Sequence, residues 1–356
     1  MERSYYLDLA ASNKRMVFGV DLILQEKHNH DEILLNGEML GKAVEETTKR
    51  FNMEVALPYM DLDIEKMDLL GTLGISPSEL DTFHFTDQNL TEEVIEKVNN
   101  IDKITPTQRL TATCDAITYI KNNTNYLPVG MCIGPFSFIT KLLSDPISPV
   151  FLASAGITSE DDHSVKTLEL TMELATKVIL RSVKMQIDAG AKAICVCEPA
   201  ANSAYISPDT LFEDDEDVFD RLVLSYNFKI KELFDKHDVD LILHDCGELT
   251  PVMVKKLCKL DPVILSLGSS QKLWEEANIV PKDIVLFGNL PTKQFFMDSV
   301  TDETVLELTN DLDKKMCATG HPYIMGSECD VLLVDGYEEV IKKKVELMLG
   351  NSGGCS

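Results

Sequence analysis

The chain has 356 residues, 44% of them hydrophobic, enough for one large α/β domain or two ordinary ones with a sizeable core and no need of disulfide staples. Its 33 Lys and Arg against 59 Asp and Glu give a net charge of −26, a field that repels nucleic acid and anionic membrane surfaces, so neither is an expected partner. Nine cysteines without dense spacing, no amino-terminal signal peptide and no apolar run near the roughly 20 residues of a membrane helix predict free thiols in a reducing cytoplasm.

In chain order, the apolar residues 16–20 predict a first strand or lead-in segment. Residues 41–51 predict a helix with Ala43, Val44 and Thr47 on one face, and 53–57 a short strand closed by Pro58. Asp61, Asp63 and Glu65 then alternate with other residues. In an extended segment all three face one side and a strand end aims them at a cleft; in a solvated loop they do neither. Residues 75–106 are polar and read as a peripheral excursion with a helix over 91–99. A helix follows over 109–122, then a strand Leu127–Ile133, which Gly134-Pro135 breaks before a helix over 136–143.

The clearest helix spans 164–189, with Val165, Leu168, Met172, Ala175, Ile179, Val183 and Ile187 at three- and four-residue intervals and Gly190 as its stop. The strand 193–197 places Cys195 and Cys197 on one side, where packing accounts for them as well as chemistry does. It ends in Glu198, an acid that is costly after a buried strand unless partnered or used, and one expected to shape the substrate cavity. The acidic run 214–217 opens a helix through Phe234 and suits the positive end of its dipole, so it is assigned no function. Next come a strand from Val239, a helix over 249–260, strands at 262–267 and 284–287, a helix over 301–319, a strand at 322–325 and a helix over 337–349. The tail 350–356 is expected to be disordered.

Eight strands, nearly all followed by helices, predict a TIM (β/α)8 barrel with an N-terminal extension and peripheral helical insertions. The extension covers 1–52 and includes a helix leading into the barrel; 53–349 form the catalytic barrel. An open doubly wound sheet is weakened by the lack of a Gly-rich dinucleotide fingerprint after any strand. Asp61, Glu198, His244, Cys246, Asn289 and Cys329 then fall at carboxyl ends of strands, where active sites in this fold assemble.

Val239 to Gly247 reads Val-Asp-Leu-Ile-Leu-His-Asp-Cys-Gly. Side chains two apart on a strand share a face, so His244 and Cys246 converge on one point, and a nitrogen with a sulfur suits a soft cation such as zinc. Cys329, after another apolar run, is the best third ligand. Cys195, Cys197 and His321 are open candidates for a fourth.

The runs His244-Asp-Cys-Gly-Glu-Leu-Thr-Pro251, Gly288-Asn-Leu-Pro, Ser327-Glu-Cys-Asp and Glu198-Pro-Ala-Ala-Asn-Ser-Ala-Tyr-Ile-Ser-Pro208 resemble the uroporphyrinogen decarboxylase superfamily. The likeness is strongest to its zinc-dependent, corrinoid-linked methyltransferase branch and covers the chain from about residue 53 onward. It implies zinc on His244, Cys246 and Cys329. With the positions of the strand ends, these three and Glu198 are the expected catalytic residues, and Asp61, Asp63, Tyr205 and Asn289 the expected substrate contacts. The likeness further implies a methyl group passing between the corrinoid of a separate protein and a small molecule, either a thiol such as coenzyme M or a methoxylated compound. The chain itself carries no Asp-x-His-x-x-Gly cobalt-ligand pattern: Ile242 stands where the aspartate belongs. The alternatives are a metal-free decarboxylase acting on a porphyrinogen carboxylate, although Arg3, Arg15 and Arg50 form no arginine-rich amino-terminal motif, and a non-catalytic protein stabilised by a closed zinc site.

Overall fold

The computed structural model describes residues 2–213 and 215–350. Eight strands, β1 (Met16–Phe18), β2 (Val55–Ala56), β3 (Leu127–Ile133), β4 (Ala193–Cys197), β5 (Asp240–Asp245), β6 (Ile264–Leu267), β7 (Val285–Leu290) and β8 (Tyr323–Asp330), lie in the order β1-β8-β7-β6-β5-β4-β3-β2. Every pairing is parallel, and β8 returns to lie beside β1. That is the circular order of a TIM (β/α)8 barrel, as the sequence predicts. Among the described residues no ladder joins β1 to β2; there the Val17 amide meets the Met53 sulfur at 3.4 Å.

The strands are largely apolar, with polar residues gathered toward their carboxyl ends, because barrel and helix layer bury both of their faces. All seven residues of β3 and all five of β4 are buried. The helix His163–Ala189 shows how the outer layer is held. Val165, Leu168, Met172, Ala175, Ile179 and Val183 form its buried stripe. Each of these side chains other than Ala175 contributes about 1.5–3 kcal/mol as an upper estimate. Asp162 accepts from the Ser164 and Val165 amides at its start, and Gly190, at φ 112°, closes it in the left-handed region.

Several expectations need correction. The boundary at residue 52 has no counterpart in the sheet, since β1 lies before it and is one of the eight staves. The segment holding Asp61, Asp63 and Glu65 is not extended: Asp63 precedes the helix Ile64–Leu73, and the three carboxylates diverge. Helices Arg3–Ala11, Val20–Leu24, His30–Leu34 and Ile147–Ser154 were not foreseen. Strand β8 runs five residues beyond its predicted end and so carries Cys329 itself. Asp217 accepts from the Phe219 and Asp220 amides ahead of a π-helical turn, Asp220–Leu224, and the helix Ser225–Lys236. Seven described cysteines are free, but Cys317 is disulfide-bonded, which departs from the expectation of free thiols throughout. Residues 351–356 of the tail, and Asp214 of the acidic run, lie outside the described residues. Among those described, no helix is long and apolar enough to cross a membrane.

Candidate metal centre

His244 lies on β5 in register with Cys197 on β4 and Ser266 on β6. Its ring meets the Phe18 ring edge-on at 5.3 Å, and Phe18 lies 5.5 Å from Phe287, so β1 and β7 supply an aromatic floor. Cys246 follows two residues later, just past the end of β5, and Cys329 lies one residue before the end of β8. The ligand atoms of His244, Cys246 and Cys329 all lie within 4.8 Å of one another, and the three form a group able to hold a metal ion.

Neighbouring polar atoms prepare this arrangement. The His244 Nδ1 is 2.9 Å from the Ser266 hydroxyl, while Nε2 is buried with no partner. With Nδ1–H donating to Ser266, the ring is in the tautomer that leaves the Nε2 lone pair free. A buried, unpaired ring nitrogen costs stability unless something binds it, and a cation is what a nitrogen lone pair facing two thiols would bind. Asp245, on the opposite face of β5, accepts from the Gly247 amide at 2.8 Å and so fixes the turn that bears Cys246; burial pushes its carboxyl well above the usual range. Gly268 is needed opposite that turn, because a Cβ there would stand 2.6 Å from the Cys246 carbonyl oxygen.

Cys246 and Cys329 behave as a pair. Donation of the Cys246 thiol to Cys329 pushes Cys246 up to about 12, and burial adds to the rise. The same hydrogen bond draws Cys329 below the ordinary thiol value, against the opposing effect of burial and with help from the Lys293 ammonium. One nitrogen and two sulfurs are a donor set suited to zinc, and two thiolates with a neutral imidazole would balance a divalent charge. The donors present therefore fit the metal that the sequence implies.

The other predicted residues sit elsewhere or act differently. Glu198 is fully buried, and its carboxylate accepts from the Phe136 amide at 3.2 Å, the Ser137 amide at 2.8 Å and the Asn227 side chain at 2.7 Å. It caps the helix Pro135–Leu142; a Cβ on Gly134 would overlap it at 2.0 Å. The geometry thus gives Glu198 a structural place, not an opening onto the cavity. Asp61 pairs with Arg109 at 2.9 Å, Asp63 with Lys141 at 2.6 Å, and the buried Glu65 accepts from the Ser182 hydroxyl at 2.7 Å. Asn289 donates to the Gly268 and Gln271 carbonyls, both at 2.7 Å, and so ties down the loop after β6. Tyr205 meets the Phe136 ring edge-on at 6.4 Å. The Cys195 and Cys197 sulfurs are 3.9 Å apart and share one face, as expected, but neither joins the metal-binding group. His321 directs Nε2 to the Ile284 carbonyl at 2.9 Å and does not join it either.

Sequence reasoning missed four neighbours. Met60 Sδ lies 3.9 Å from Cys329 Sγ, Ser266 holds the histidine, and Lys293 Nζ is 3.7 Å from Cys246 Sγ. Glu328 accepts from the Lys293 amide at 3.2 Å and from the Ser269 amide at 3.3 Å, which links the loops after β6 and β7 to the strand that bears Cys329. Glu328 lay inside the quoted run at 327–330; Lys293, two residues past the Asn-Leu-Pro turn, carried no signal of its own.

The family model described as Uroporphyrinogen decarboxylase (URO-D) matches residues 18–347. The chain belongs to the uroporphyrinogen decarboxylase family. The match spans β1 to the last helix, so the three positions of the candidate metal centre all lie within it. Among solved structures, a methyltransferase from Methanosarcina mazei superposes with a TM-score of 0.65, covering 96% of this chain and 97% of that one at 16% identity. Identity that low establishes the shared fold. No curated protein sequence matches the chain.

Proposed function

We propose that this member of the uroporphyrinogen decarboxylase family is a zinc-dependent methyltransferase acting in the cytoplasm. In this reading a methyl group moves between the corrinoid of a separate protein and a small molecule, a thiol or a methoxylated compound. The observation that carries it is the buried, unpartnered Nε2 of His244 facing the sulfurs of Cys246 and Cys329. Among the described residues the group has three members, the number found in catalytic zinc sites that keep one position open, which speaks against a closed structural site. The likeness in fold to a methyltransferase of Methanosarcina mazei supports the same reading.

A zinc ion held by these residues supplies a Lewis acid with an open position for a substrate sulfur or oxygen. The chain's residues do the rest. Ser266 fixes the imidazole, Asp245 and Gly268 fix the Cys246 turn, and Phe18 and Phe287 keep the inner side of the group apolar. The corrinoid partner would dock over the carboxyl ends of the strands. With −26 of charge on this chain, an acidic partner would be held by apolar contact, in a manner tolerant of salt. A decarboxylase reading, the activity in the family's name, has less support, because the buried Arg109 is already paired with Asp61 and so is not free for a substrate carboxylate.

Metal analysis tests the proposal. Purified wild-type protein should hold about one zinc per chain, set by the one three-donor group among the described residues. Cys246→Ala should lose most of it while keeping the wild-type far-ultraviolet circular dichroism. Undiminished zinc in that variant would place the metal elsewhere.

A further inference from the structure

In a chain with far more carboxylates than ammonium groups, a lysine near the surface ordinarily finds an acid. Lys293 does not. Its residue is exposed, yet its side chain reaches inward, and the hydrogen bond it makes is to the Cys246 sulfur at 3.7 Å. Among the described residues no carboxylate oxygen lies within ion-pair distance of its ammonium.

The backbone of Lys293 is held as firmly as a ligand's. Its amide donates to the buried Glu328 at 3.2 Å, and Glu328 also takes the Ser269 amide and hydroxyl. Because Glu328 immediately precedes Cys329 on β8, the loop that carries Lys293 is fixed to the same strand as a ligand. The point from which the Lys293 side chain sets out toward Cys246 is therefore fixed.

A transfer centre with two cysteine ligands has a chemical problem that Lys293 addresses. Ligand thiolates are nucleophiles too, and an electrophilic methyl group brought to the mouth of the barrel would meet them as well as the substrate. We propose that Lys293 is a positioning residue that protects Cys246 from alkylation. By donating a charge-assisted hydrogen bond to that sulfur it draws electron density from it and lowers its nucleophilicity. Among the described residues no ammonium hydrogen-bonds Cys329, which is guarded instead by burial and by the Met60 sulfur. The inference rests on the reading of the group as a zinc centre.

The test uses zinc-loaded full-length protein and iodoacetamide. The sulfur electron pair forms the new C–S bond, the C–I bond breaks and iodide leaves, so no further reagent is needed. Peptide mass spectrometry reads the alkylation rate at Cys246 and at Cys329 separately. In Lys293→Met the rate at Cys246 should rise about tenfold, the scale of one hydrogen bond to a charged group, while Cys329 changes much less. Lys293→Arg, which keeps a donor and the charge, should restore most of the protection. A rise of similar size at both cysteines would mean general loosening and overturn the proposal, as would unchanged protection in Lys293→Met. If Lys293→Met fails to fold, Lys293→Gln serves in its place with the same two outcomes. Failure of the underlying reading is distinguishable, since wild-type protein would then bind no zinc and show no zinc-dependent protection at either cysteine.

Discussion

At the scale of the residue, what separates a ligand from a structural acid is whether its polar atoms already have partners. His244 Nε2 has none, whereas both oxygens of Glu198 are taken up by amides and by Asn227. Adjacent strands deliver the two side chains, yet they serve opposite ends. The contrast was not legible in the sequence, because an acid after a buried strand looks the same whether it caps a neighbouring helix or faces a cavity. It yields a prediction. Glu198→Ala leaves three buried donors without an acceptor and should lower the free energy of unfolding by about 3 kcal/mol. Its zinc content should match wild type. Wild-type stability in denaturant titration, accompanied by lost turnover, would return Glu198 to the cavity.

At the scale of the element, the eight strands were legible because a parallel barrel buries both faces of each strand, which leaves short continuous apolar runs such as Leu127–Ile133. The long helix His163–Ala189 was legible because its buried stripe keeps helical spacing. Segment 61–65 leaves strand and loop open because alternation of charge over five residues fits either, while the helix Ile64–Leu73 that claims part of it is decided by packing against the rest of the barrel. Glu65 shows the consequence. In the first turn of that helix it is buried against Ser182 of the long helix, with Oε2 unpaired. Burial raises its carboxyl from 4.5 to about 7, with the Ser182 hydrogen bond opposing the rise. The folded state therefore holds this proton more tightly than the unfolded one. Its contribution to stability is full below pH 4.5, falls as pH rises to about 7 and is flat above, a loss of about 3 kcal/mol from the cited values. Glu65→Gln should abolish that part of the pH dependence. Subtracting the two stability curves measures it, and a flat difference between pH 4.5 and 7 would refute the assignment.

At the scale of the whole molecule, the fold explains how candidate ligands 83 positions apart in sequence meet. Cys246 and Cys329 stand at the carboxyl ends of β5 and β8, and barrel curvature turns both ends toward one mouth. Sequence could name His244 and Cys246 because their spacing of two is local, and Cys329 because it follows an apolar run. Lys293 and Glu328 act through loops brought together only by closure, and no local pattern marks them. The acidic surface, by contrast, follows from composition alone and bears on how a partner is met, not on the chemistry. The His244, Cys246 and Cys329 group, loaded with zinc, is proposed to support methyl transfer. The most direct measurement is methylation of a thiol panel from methylcobalamin by wild-type protein, before and after the metal is stripped with a chelator and restored. The account predicts product from the zinc-loaded protein, loss on stripping and recovery with added zinc, with Cys246→Ala inactive throughout. Equal product from stripped and loaded protein would contradict it.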